Sequence, residues 1–210
     1  MKKIAAHIAL VLCMVTASGQ NPLEQVLKTY FRTHPFEMKF SSFITSLQKD
    51  PWFAMETFDR RTDSTFFFLS GAYKNYNPFH FTPKELRLIV AEEEIIHRDS
   101  LQTHDTIMNL QLMGITDSGF VNSKIVEKEF NRFNKNQSGR FSTKTYESYD
   151  DKGKMITEVY NYFMFPFSIA PVTIAWSLLP ASNKYTFIIT IRFKMRQNAA
   201  DLIVAPNEQL

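Results

Sequence analysis

Residues 85–96 read ELRLIVAEEEII, and whether this stretch is strand or helix decides the fold. Thr82-Pro83-Lys84-Glu85 has the order of a helix capping box, a hydroxyl followed three residues later by glutamate. Leu88-Ile89-Val90 and Ile95-Ile96 argue the other way, because branched apolar side chains favour an extended backbone. The neighbouring TIMNLQLMGI, 106–115, settles the choice. Its Met108, Leu110 and Leu112 alternate with Asn109 and Gln111, the period of a half-buried strand. The two stretches are therefore expected to pair as an antiparallel hairpin.

The hairpin would turn through HRDSLQTHD, His97 to Asp105. A loop over 98–103 sets His97 opposite His104, Ile95 opposite Thr106, Glu93 opposite Met108, Ala91 opposite Leu110 and Ile89 opposite Leu112. In that register the two imidazoles share a face, with Cβ atoms about 5 Å apart. A catalytic zinc needs a third protein ligand. Asp105 points to the other face, Glu93 lies two pairs away, Asp99 requires the loop to fold back, and His34 and His80 are unplaced. A polar turn closed by Asp99, Ser100 and Asp105 explains the stretch without a metal. Glu92 and Glu94 share a face and are expected on the solvated one, opposite Asn109 and Ile107. There they form an acidic patch rather than the carboxylate pair of a glycosidase.

Toward the N-terminus, WFAMETF and STFFFLSGAY read as two strands, and NYNPFHFTP, with two prolines, as a loop carrying His80. Before them Asn21-Pro22-Leu23-Glu24 has the marks of a helix start. Leu23, Val26, Leu27, Tyr30 and Phe31 then follow at helical spacing. A second helical stripe runs through Phe36, Phe40, Phe43 and Leu47 and stops before Pro51.

Toward the C-terminus a helix is expected from Asn122 or Ser123, with Val126, Phe130 and Phe133 on its buried face and Lys124, Lys128 and Arg132 off it, ending before Gly139. RFSTKTYESYDDKGKMITEVYNYF gives two strands about an Asp150–Gly153 turn. Through Tyr149, Asp150, Gly153 and Glu158, this hairpin resembles a single unit of the tyrosine-aspartate repeats of large surface and toxin-shell proteins. The resemblance covers under a tenth of the chain, lacks tandem repetition, and implies a shared turn rather than a function. VTIAWSLL and YTFIITIRFKM complete the strands. In the last, Tyr185, Phe187, Ile189, Ile191, Phe193 and Met195 are expected to face the core. Lys184, Arg192, Lys194 and Arg196 would lie on a wet, basic face, as solvated charge guarding a sheet edge or as a site for an acidic group.

The chain opens MKKIAAHIALVLCMVTASGQ, with two lysines, an apolar run and a small-residue exit, the order of a secretory signal peptide. Cleavage is expected after Gly19, leaving 191 of the 210 residues and 22 basic against 21 acidic side chains, a net charge of +1. That balance sets up no field for nucleic acid. Cys13, the single cysteine, would be lost with the leader unless it carried a lipid, so neither a disulfide nor a thiolate site is expected. Twenty Phe, eight Tyr and two Trp make an aromatic interior, either solid or shaped as a ligand cavity.

The expected fold is α+β: an antiparallel sheet with N-terminal helices and one mid-chain helix packed on one face. It forms a single domain over 20–197, divisible into helix-plus-meander halves at 21–117 and 118–197, with a loosely ordered tail over 198–210. The sequence contains no phosphate loop, no G-x-S-x-G elbow, no HExxH and no EF-hand loop. No catalytic, cofactor-binding or metal-ligating residue is assigned. The expected function is an exported, periplasmic or extracellular, non-enzymatic protein that binds an apolar ligand or a protein partner, without a transmembrane segment after cleavage. The alternatives are a metal-dependent hydrolase using His97 and His104, and an inhibitor or immunity-type protein.

Overall fold

The computed structural model describes residues 22–35, 38–60, 67–96, 104–137, 139, 141–163, 170–179, 181–195 and 200–202. The expected leader, Asn21 and Phe36 lie outside them. Two helices come first, α1 (Pro22–Tyr30) and α2 (Phe40–Lys49), followed by four strands: β1 (Phe53–Arg60), β2 (Phe67–Tyr73), β3 (Glu85–Ile96) and β4 (His104–Asp117). Then come α3 (Phe120–Gln137) and the strands β5 (Ser142–Tyr149), β6 (Met155–Phe163), β7 (Val172–Leu179), β8 (Lys184–Met195) and the short β9 (Ala200–Leu202). ELRLIVAEEEII is a strand. The capping-box order ahead of it starts no helix, because pairing on both sides, with β2 and β4, outweighs a local cap.

The nine strands among the described residues form one antiparallel sheet in the order β1-β2-β3-β4-β8-β7-β6-β5, with β9 continuing along β8. Each half of the chain lays down a four-stranded meander, and the two meet along their last strands, β4 and β8. Sequence alone made β8 a candidate edge. It is instead interior, paired with β4 over 184–194 and with β7 over 184–191. Ala200–Leu202, read as part of a loose tail, pairs with Phe193–Met195.

Pairing sets the rows of side chains that cross the sheet. On one face Leu88, Leu112, Ile189 and Ile174 stand side by side, as do Leu69, Val90, Leu110, Ile191, Val172 and Tyr162. Side chains from the three described helices join this face in a single cluster: Leu23, Val26 and Leu27 from α1, Phe43 and Leu47 from α2, Val126, Phe130 and Phe133 from α3. The aromatic residues fill this layer against one another. Phe79 and Phe81 stack at 5.3 Å, Phe187 meets Phe79 edge-on at 5.2 Å, and Phe133 lies 5.3 Å from Tyr30. Two strand glycines make room for these rings. A Cβ at Gly114 would stand 2.7 Å from the Phe79 ring, and one at Gly71 would stand 2.5 Å from the Ala54 carbonyl as well as against the Phe53 ring. At these two positions the rings lie directly against the strand backbone.

α3 begins at Phe120, earlier than expected, directly after Gly119 with its φ of 142°. Asn122 and Ser123, expected to start the helix, act inside the first turn: Asn122 Nδ2 donates to the Asp117 carbonyl at 2.8 Å and Ser123 Oγ to the Phe120 carbonyl at 2.8 Å. The β5–β6 turn is the one expected. Asp150 Oδ1 accepts from the Lys152 and Lys154 amides at 2.9 and 2.8 Å, and Gly153 takes φ 76°.

Candidate functional site

The β3–β4 register differs by one residue from the expected one. Ile96 pairs with His104, Glu94 with Thr106, Glu92 with Met108, Val90 with Leu110 and Leu88 with Leu112. Because side chains alternate with period two, one residue exchanges the faces of β3. Leu86, Leu88 and Val90 take the helix-covered side at 3, 0 and 0% exposure, and Glu92 continues their file rather than standing on a wet face. The expected His97–His104 pair is not formed in this register: His104 pairs with Ile96. His97 itself lies outside the described residues, as do Asp99 and Ser100. Among the described residues, no group of three or more His, Cys, Asp or Glu is arranged to hold a metal ion.

The far face of the sheet, turned away from the helices, is not the wet basic surface expected from β8. Ile107 and Ile115 are buried there without joining the helix-side cluster. Between Lys184 and Arg192 on β8, Thr186 and Thr190 are 0% and 5% exposed. Alternation in sequence separates apolar from polar side chains, and does not report whether the polar ones meet water. Arg196 lies outside the described residues.

Register divides this face into three rows. A central row runs through Met113, Ile188, Ala175, Val159 and Tyr146, from β4 to the edge strand β5. On one side lies a hydroxyl row of Thr186, Ser177 and Thr157, in which Thr157 Oγ1 and Ser177 Oγ are 2.9 Å apart and Thr186 Oγ1 donates to the Ser177 carbonyl at 3.3 Å. On the other lies an amide and hydroxyl row of Gln111, Thr190, Thr173 and Asn161. Arg192 secures this side. Its Nη1 donates to Thr173 Oγ1 at 2.6 Å and to the Ala170 carbonyl at 3.2 Å, while Thr173 Oγ1 donates to Asn161 Oδ1 at 2.7 Å. The result is an apolar stripe between two fixed hydrogen-bonding rails. It offers binding chemistry, with no nucleophile and base aligned along it.

A second centre lies on the helix side. Glu129, on α3, is 2% exposed, with Oε2 accepting from the His80 backbone amide at 3.3 Å and Oε1 lying 3.5 Å from His80 Nδ1. Arg132 Nη1 is 3.4 Å from Oε2. Burial pushes the Glu129 carboxyl up to about 7. Burial, followed by the neighbouring Glu129 charge, also pushes the Tyr30 phenol up to about 12. His80, placed by sequence in a loop, does sit in one, with its side chain 63% exposed. Glu129 was missed, though a signal was present: 126, 129, 130 and 133 form one helical stripe, and Glu129 fills its second position.

No known protein family, curated protein or solved structure matches the chain. Among the described residues no helix is long and apolar enough to cross a membrane.

Proposed function

We propose that the chain is an exported, non-enzymatic binding protein, and that the far face of its sheet takes an amphipathic segment of a protein partner. The observation that carries this reading is the three-row pattern: an apolar stripe from Met113 to Tyr146 flanked by hydroxyl and amide rails. A stripe crossing five strands is roughly 19 Å long at the usual strand spacing, the length of about 13 residues of helix. Helices fall on the other face, where their apolar side chains join the core cluster, which leaves the far face without a described helix. The solid packing of Phe53, Phe79 and Phe81 on Gly71 and Gly114 weighs against the other form of the reading, an apolar ligand held within the aromatic layer. Inhibition of an envelope partner, as by an immunity-type protein, is one form such binding takes. The leader-like start MKKIAAHIALVLCMV supports export to the periplasm or beyond.

Substituting Ile188→Arg together with Ala175→Arg places two charges on the stripe. In native electrophoresis of cell envelopes, the wild-type chain is expected in a species larger than the free chain, and the double variant as free chain with an unchanged melting curve. Equal migration of the two would sink the reading.

A further inference from the structure

The β4–α3 junction and the β7–β8 turn lie together at one end of the sheet, tied by Asn183 Nδ2 donating to Ser118 Oγ at 2.8 Å. Four apolar side chains are uncovered at this end: Phe120 at 76% exposure, Val121 at 69%, Leu179 at 40% and Ile125 at 37%. Leaving so much of a phenylalanine in water forfeits the stabilisation that burial would return. The residues around them are mostly cationic. Lys124 stands 5.7 Å from the Phe120 ring, Lys128 follows one turn on, and Lys184 pairs in register with Asp117 and Leu179. Lys84 completes the set, 3.0 Å from Asp117. Against these four lysines stand Asp117 and Glu127, and the first turn of α3 carries no acidic side chain.

We propose that this end of the molecule docks peripherally on an anionic bilayer, with Phe120 and Val121 entering the headgroup boundary and the lysines meeting lipid phosphates. Size and charge favour lipid over a protein partner. Four side chains fall well short of the roughly 20–30 residues a side of a stable protein interface. A few inserted apolar groups ringed by lysine are enough for reversible lipid binding, each lysine adding attraction to an anionic surface. The contact is separate from the far-face stripe and does not depend on what that stripe binds.

The test uses the full chain carrying Phe120→Trp, read by tryptophan fluorescence after subtraction of the unsubstituted chain with its native Trp52 and Trp176. Vesicles of brominated phosphatidylcholine with phosphatidylglycerol are expected to shift the added emission to the blue and quench it. Adding Lys124→Glu and Lys128→Glu should lower the apparent affinity by about tenfold or more. Quenching reports the depth of residue 120 alone, so a leader anchoring the chain elsewhere does not produce it. No quenching, quenching of equal size without phosphatidylglycerol, or an unchanged affinity in the lysine variant would each overturn the proposal.

Discussion

Glu129 shows how a single residue can escape a pattern that is otherwise easy to read. Val126, Phe130 and Phe133 announce the buried face of α3, yet a carboxylate in the same stripe looks in sequence like an ordinary solvated charge. Its partners, the His80 amide and imidazole, lie 49 residues away, so only the folded chain brings them together. The consequence is a pH dependence of definite sign. The carboxyl is raised from 4.5 in the unfolded chain to about 7 in the fold, so folding favours its protonated form. That contribution is complete below pH 4.5 and is lost as pH rises through 7. Urea unfolding of wild type and Glu129→Gln between pH 4.5 and 8 should show wild type losing up to about 3 kcal/mol relative to the variant. Parallel profiles would mean that the carboxyl titrates in the fold as it does in water.

At the scale of elements, the strands were legible and one register was not. β8 alternates almost without exception and β5–β6 carries a turn that fixes its pairing, so both follow from local residues. β3 carries two apolar sets, Leu86, Leu88 and Val90 on one parity and Ile89 and Ala91 on the other, and the sequence alone lets either face inward. The set containing two leucines and a valine won the core, and the histidine pairing expected at the hairpin mouth went with the losing register. Cysteine pairs in a Cys13→Ser background check this directly. Glu94→Cys with Thr106→Cys should oxidise to a disulfide under mild conditions, and Ile95→Cys with Thr106→Cys should not, since directly opposed residues share a face and residues one position out of register do not. The reverse outcome would restore the histidine pair.

For the whole molecule, an antiparallel sheet with helices could be anticipated because short turns join most of its strands. The junction of β4 with β8 could not, since nothing local encodes a pairing between residues more than sixty positions apart. That junction creates the candidate site. It sets Met113 beside Ile188, and Gln111 beside Thr190, turning two unremarkable alternations into one continuous striped face. Photo-crosslinking in intact cells tests its role most directly, with benzoylphenylalanine placed at Met113, Ile188 or Tyr146 and, for comparison, at the exposed helix positions Thr45 and Asn131. Adducts to one protein partner are expected from the three stripe positions and not from the helices. Adducts confined to the helix positions, or none from the stripe, would contradict a binding role for the far face.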